Sequence, residues 1–335
     1  PGFEDRLIGL MVTDKKHVKP LQELVSKDIP RRVQPPGVSS SYSNYGTMLA
    51  GYIVQVITGI SYEQYIAESI FGPLKMDDST MVQPPSSSKK LNSGRLSTGY
   101  MVEDGTFVPQ AFEFINGAPA GALSSTCSDM LRFLRAYLNE GKGIEEKILN
   151  PETVKKMRTT SFQHDPRTNG MAHGFIEMGT DSYRVLGHGG DTIFFHSISG
   201  YIPSKNFGYF ISTNTGTGAM LTFTLQRMML DEFYPVPDGT SLAAEYEADA
   251  DLEEYTGFFS IDRRSESDPT QIMGGMTLIN PVIADEGNGL FVQTIIDPKG
   301  SYYRPVDKDI FQQENGRLRL VFLQGGGWAG QSVRS

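Results

Sequence analysis

Apolar residues recur at helical spacing over residues 44–58, where Met48, Leu49, Ile53, Val56 and Ile57 form the repeat and Gly59 supplies a stop. The pattern predicts a buried helix. Ser61 and Gln64 match a capping box for a second helix that ends near Phe71, before Gly72-Pro73. Residues 128–140 repeat the amphipathic spacing through Met130, Leu131, Phe133, Leu134, Tyr137 and Leu138, and Asn150-Pro151-Glu152 reads as an N-cap, a first-turn proline and an early acid. From about residue 170 the period shortens. Segments near 172–178, 182–187, 193–202 and 207–213 are rich in Phe, Ile, Tyr and Val and are separated by turn signals at Gly179-Thr180-Asp181, Gly189-Gly190-Asp191 and Pro203-Ser204-Lys205-Asn206. An antiparallel meander is expected, with a helix over 217–233 packed on one face. Residues 235–254 turn to Pro, Gly, Ala and acids and read as a linker. Short strands among glycines follow, at Tyr255–Phe259, Gly289–Ile295 and Leu318–Leu323, so 255–335 is expected to form an all-β domain whose completeness at Ser335 is open.

Composition narrows the function classes. The 335 residues carry a formal charge of -9 with 39% hydrophobic and 21% charged residues, the balance of a folded protein with no basic stripe for nucleic acid. The single cysteine, Cys127, precludes an internal disulfide and reads as a small buried residue near a helix start. His17, His164, His173, His188 and His196 never fall at metal-binding spacing, and no metal or other cofactor is implied. No apolar run approaches the roughly 18 residues that span a bilayer.

Two segments carry candidate chemistry. Tyr42-Ser43-Asn44 places a phenol and an amide at the start of the predicted helix, and Gly187-His188-Gly189-Gly190-Asp191-Thr192 brackets a histidine with glycines between predicted strands. A phenol acts as general base only where nearby positive charge lowers its pKa from about 10. Glycines at a strand end let another backbone or a substrate approach closely. Taken singly, the first segment also fits a packed tyrosine and a capping asparagine, and the second a glycine-rich turn with an exposed histidine.

With the text around them, these segments resemble the serine β-lactamase and penicillin-binding-protein hydrolases, in the group of class C β-lactamases, D-aminopeptidases and related esterases. The resemblance runs from Tyr42-Ser43-Asn44-Tyr45-Gly46 through Ser61–Ile66, Phe71-Gly72-Pro73-Leu74-Lys75-Met76, Ser79-Thr80 and Pro119–Ser125 to Gly187–Gly190 and Thr213-Asn214. It implies an α+β (α/β) fold for residues 1–234, an antiparallel sheet flanked by helices plus a helical lobe, and for 255–335 a lipocalin-like barrel appendage. It implies an acyl-enzyme mechanism on a small-molecule or peptide substrate. Tyr42 would carry protons, Asn44 would orient substrate, and His188, Gly189 and Gly190 would form the substrate-binding strand, with the backbone N–H of Asp191 as an oxyanion donor. The histidine at 188, where many relatives carry lysine, leans toward D-residue peptides, amides or esters over β-lactams. Relatives usually act outside the cytoplasm.

The pattern is broken at the nucleophile. Ser-x-x-Lys occurs at Ser86–Lys89 and Ser87–Lys90, after Pro84-Pro85 and downstream of Tyr42, the wrong side for the family order. Both are read as decoys, and the chain is expected to begin downstream of its own nucleophile, which a complementing N-terminal segment would supply. Two other readings remain open: a non-catalytic binding or regulatory protein on the same scaffold, and a C-terminal barrel that binds an apolar ligand with Phe291, Phe322 and Trp328 as lining residues, although plain core packing of these aromatics is the favoured reading.

Overall fold

Residues 2–85, 96–180, 182–235, 252–259, 281–294, 297–314 and 318–322 are described by the computed structural model. The helices are α1 (Leu21–Lys27), α2 (Asn44–Thr58), α3 (Tyr62–Ile66), α4 (Cys127–Leu138), α5 (Pro151–Arg158) and α6 (Ala219–Phe233). Short strands β1 (Met11–Val12) and β4 (Phe114–Ile115) pair with each other, as do β2 (Tyr100–Glu103) and β3 (Thr106–Pro109). The central sheet has the order β5 (Ile176–Glu177), β6 (Leu186–Asp191), β7 (His196–Ile202), β8 (Phe207–Thr213), with every neighbour antiparallel.

Alternation along the strands gives this sheet two apolar faces. Leu186 and Tyr201 pack with Leu134 and Tyr137 of α4 and Val154 of α5. On the other face, Ile198, Ile202 and Tyr209 pack with Leu230 of α6. The expected meander and flanking helix are therefore present. The turn, however, is displaced: Gly189, Gly190 and Asp191 pair residue for residue with Ile198, Ser197 and His196, and the chain reverses over 192–195. Glycine's weak strand preference is overridden by a continuous ladder to β7.

Helix α2 has the predicted limits, with Ser43 Oγ accepting from Gly46 N–H at its start and Gly59 in the left-handed conformation at its end. Only its N-terminal half is buried. Tyr45 and Met48 pack with Leu24 and Val25 of α1, and Gly51 admits Pro119, whereas Ile53, Val56 and Ile57 are exposed. Ser61 caps α3 through Gln64 N–H, and α3 runs on as a wider π turn to Phe71. Asn150 precedes α5 without a side-chain cap bond. Cys127 opens α4 but is exposed, contrary to its expected burial, because Thr126 as N-cap turns the first helical residue outward while Asp129 and Leu134 face inward.

The C-terminal domain is a six-stranded antiparallel meander, β9 (Gly257–Phe258), β10 (Val282–Asp285), β11 (Leu290–Gln293), β12 (Ser301–Asp307), β13 (Ile310–Gln313) and β14 (Arg319–Val321), in the order β14-β13-β12-β11-β10-β9. Leu252, expected in the linker, packs with Tyr255, Ile283, Leu290, Tyr303 and Phe311 in its core. Phe322 joins this cluster edge-to-face with Tyr255 and Phe311, and so fills the core instead of lining a ligand cavity. Phe291 stacks on Tyr302, and Trp328 lies outside the described residues.

Candidate active site

Two chain segments remote in sequence form the site. The tyrosine segment is fixed from its N-terminal side: Phe3 bridges to Arg32, Glu4 N–H donates to Arg31 O, and Arg31 N–H returns to Glu4 Oε1, both at 3.0 Å. This pairing sets Asp5 beneath α2. Asp5 Oδ1 accepts from Asn44 N–H at 3.3 Å and from Asn44 Nδ2 at 3.2 Å, and both residues are buried. The amide of Asn44 is thus oriented by a carboxylate as well as by its place at the first position of α2. Before it, Ser40 N–H donates to His164 Nε2 at 3.2 Å.

The second segment is β6. His188 lies on the face of the sheet that carries Leu186, and its ring stands 5.8 Å from that of Tyr42, centroid to centroid, tilted by 53°. His188 Nδ1 is 2.5 Å from Gly189 O. Strand β5 pairs with β6 only at Leu186 and Gly187, so among the described residues the outer edge of β6 from His188 to Asp191 has no partner strand. Gly189 and Gly190 keep that edge low: a Cβ at Gly189 would meet nothing nearer than Ser197 O at 3.7 Å. A backbone edge of this kind can take an extended peptide by main-chain hydrogen bonds.

The side chain of Asp191 points to the opposite face, where Oδ1 pairs with Nδ1 of buried His196 at 2.7 Å across the last rung of the ladder. Only the main chain of Asp191 belongs to the His188 side. Beyond it, the Glu113 carboxylate clamps the turn, accepting from Thr192 Oγ1 at 2.6 Å, Ile193 N–H at 2.8 Å and Phe194 N–H at 3.1 Å. The structure therefore brings Tyr42 against the His188–Asp191 strand, with Asn44 two residues on and bound to Asp5. Asp5, Glu113, His164 and His196, which support it, carry no local sequence signal, because each acts on a residue distant in the chain or across a turn. The two Ser-x-x-Lys matches at 86–90 lie outside the described residues. Among the described residues, no helix is long and apolar enough to cross a membrane and no group of His, Cys, Asp and Glu is placed to hold a metal.

Comparison with known proteins bears on this arrangement. The Beta-lactamase family model matches residues 13–229. Penicillin-binding protein 4 of Amycolatopsis lactamdurans is 25% identical over 211 residues, which are 59% of this chain and 53% of that protein. Protein flp of Staphylococcus aureus strain MW2 is 28% identical over 180 residues, 53% of this chain and 34% of that one. The chain thus spans about half, or a third, of the length of these relatives. Among solved structures, the D-amino acid amidase of Ochrobactrum anthropi SV3 in complex with L-phenylalanine amide is 25% identical with a TM-score of 0.52, covering 66% of this chain and 63% of that one. A penicillin-binding protein homologue from Pyrococcus abyssi shares the fold at 20% identity and a TM-score of 0.52, over 90% of this chain and 66% of that one. The family match covers most of the fold that holds Tyr42 against His188, and the chain belongs to the beta-lactamase family of penicillin-binding-protein-like serine hydrolases.

Proposed function

We propose that this chain carries most of an acyl-transfer site for an amide, D-residue peptide, ester or β-lactam, and that its nucleophile lies on a segment outside these 335 residues. The observation that carries the reading is the approach of Tyr42 to His188 beside the open edge of β6. Substrate pairs with that edge, and its carbonyl oxygen points at the Asp191 N–H. Tyr42 moves the proton between the attacking serine and the leaving group, and Asn44, aimed by Asp5, holds the substrate amide. A phenol with a pKa of about 10 needs a neighbouring cation to act as a base near neutral pH. The lysine of a Ser-x-x-Lys helix supplies it in this scheme. His188 offers less fixed positive charge than a lysine, which favours D-aminoacyl amides and esters over substrates bearing a carboxylate beside the scissile bond. The likeness to the D-amino acid amidase supports the same choice. Action outside the cytoplasm fits the penicillin-binding relatives.

The surface supports a complementing segment. Helix α6 buries Thr222, Gln226 and Leu230 and leaves Met220, Leu221, Phe223, Met228 and Phe233 exposed. Beside it, β8 is an edge strand among the described residues, seven residues long with no charge and no proline, the devices that ordinarily protect an edge. Such an apolar helix and an unguarded edge fit a further strand and helix of the same protein.

The test is intact mass after treatment with a fluorophosphonate and a fluorescent penicillin, on the 335-residue chain and on the longer coding product. Labelling of one upstream serine in the longer product only, slowed about 10²-fold or more by Tyr42→Phe, is the expected result. An adduct on a serine within these residues would overturn the placement of the nucleophile. Binding of D-phenylalanine amide by the longer product without any adduct would favour a non-catalytic binding protein on this scaffold.

A further inference from the structure

The loop over residues 162–171 touches both the tyrosine segment and the C-terminal sheet. Its base is closed by Phe162 N–H to Met171 O at 3.2 Å and Met171 N–H to Phe162 O at 2.7 Å. Inside, Arg167 N–H donates to Asp165 Oδ1 at 2.8 Å, the guanidinium grips both oxygens of the same carboxylate, and Thr168, fully buried, donates through N–H and Oγ1 to Asp165 O. A loop braced at its base and across its middle moves as a unit.

On one side, His164 Nε2 accepts the Ser40 N–H, two residues before Tyr42. Accepting there assigns the ring as neutral with its proton on Nδ1, and the ring is held edge-to-face against Phe162 at 4.9 Å. On the other side, Arg167 Nη1 donates to Lys308 O at 3.2 Å, in the turn between β12 and β13, and the carboxylates of Asp307 and Asp309 attract the same guanidinium. That turn is itself anchored: Asp309 accepts from Tyr255 Oη at 2.7 Å through its carboxylate and from Phe322 N–H at 2.8 Å through its carbonyl.

We propose that His164 is a positioning residue for Tyr42 and that Arg167 makes the C-terminal sheet part of the same support. The C-terminal domain then sets the tyrosine's geometry through a stiff strut. The role assigned to Tyr42 rests on the acyl-transfer reading above, but the coupling itself does not. Catalysis is sensitive to such support because a displacement of about 1 Å in a reacting group can lower a rate by about 10²-fold.

Amide exchange, followed by NMR on the full chain, tests the coupling without requiring activity. His164→Ala is expected to speed exchange at Ser40 about 10-fold, the loss of one hydrogen bond of roughly 1.4 kcal/mol. His164→Gln, whose amide oxygen can accept the same proton, should restore most of the protection, and the shorter His164→Asn should not. Arg167→Ala should speed Ser40 exchange by a smaller factor and add nothing in the His164→Ala background. Unchanged Ser40 exchange in His164→Ala overturns the proposal. A response of Arg167→Ala confined to residues 305–311 overturns the part assigned to the C-terminal domain. Should His164→Ala not fold, the contrast between His164→Gln and His164→Asn gives the same decision. In the longer coding product, both Ala variants should lower kcat several-fold with KM unchanged. Absence of all hydrolysis would refute the acyl-transfer reading alone, since exchange still reports the strut.

Discussion

The Asp5–Asn44 pair is the contact on which the orientation of the site amide depends, and its strength can be worked from the structure. Asp5 and Asn44 are 4% and 5% exposed, so neither has water as a ready substitute partner. Asp5→Ala leaves two buried donors of Asn44, its N–H and its Nδ2, without the carboxylate that accepts them at 3.3 and 3.2 Å. Hydrogen bonds to a charged group contribute about 1.5–3 kcal/mol each, and an orphaned buried donor costs about 1–3 kcal/mol. Both distances are long for charge-assisted bonds, which places each at the low end of that range. Asn44→Ala removes only the Nδ2 donor. A double-mutant cycle of Asp5→Ala and Asn44→Ala therefore isolates the side-chain bond and should return a coupling of about 1–2 kcal/mol. Urea unfolding followed by far-UV circular dichroism gives the four stabilities. A coupling below about 0.5 kcal/mol, the scatter expected of independent sites, would refute the reasoning that Asp5 orients Asn44.

Three further perturbations probe the surrounding frame. Gly200→Ala places a Cβ 2.5 Å from Cζ of Tyr209, which is locked by the Gln226 Nε2 bond at 2.9 Å, and should cost about 1–3 kcal/mol of overpacking in the urea midpoint; a neutral variant would mean that the α6 face yields. Glu113→Ala removes the acceptor of the Thr192, Ile193 and Phe194 bonds and should raise amide exchange at Ile193 and Phe194 about 10-fold or more while leaving β8 unchanged. Burial pushes the Glu177 carboxyl up, but hydrogen bonds from Arg184, Thr160 and Gly170 outweigh burial and hold it below the ordinary carboxylate range. Its stabilisation is complete above the unfolded value of about 4.3 and is lost as pH falls through the lower folded value. The urea midpoint should accordingly drop more steeply as pH falls below about 4.3 for the native chain than for Glu177→Gln, and parallel curves would refute the assignment.

How far the sequence reveals the fold depends on which interactions are local. Helix α2, capped by Ser43 and not by the asparagine at 44, which is its first helical residue, was legible from its apolar spacing and from Gly59, which acts on a neighbour one turn away. The face it buries was not, since periodicity marks an apolar stripe without saying what covers it: Met48 meets α1, while Ile53, Val56 and Ile57 meet nothing among the described residues that buries them. The hairpin of β6 and β7 failed for a related reason. Three glycine-rich residues read locally as a turn, yet the ladder to β7 carries them as strand, and the true reversal over 192–195 is held by Glu113 from another part of the chain.

The same division separates the two layers of the site. Tyr42, Asn44 and His188 were singled out by the resemblance of their segments, taken together, to one hydrolase family, since each segment alone fits a packed tyrosine, a capping asparagine or a glycine-rich turn equally well. Asp5, Glu113, His164 and His196 were invisible because each holds main chain or side chain that folding alone brings near. Each support fixes a group on the same segment as a member of the first group: Asp5 the head of α2, Glu113 and His196 the end of β6 and its turn, His164 the approach to Tyr42. Under the proposed acyl-transfer function, conservative changes in the first group should therefore alter chemistry with little loss of fold. Changes in the second should loosen a named backbone group first and reach chemistry only through it. Amide exchange at Ser40, Asn44 and Ile193, read beside hydrolysis of a D-aminoacyl amide by the chain supplied with the proposed upstream segment, separates these two behaviours residue by residue.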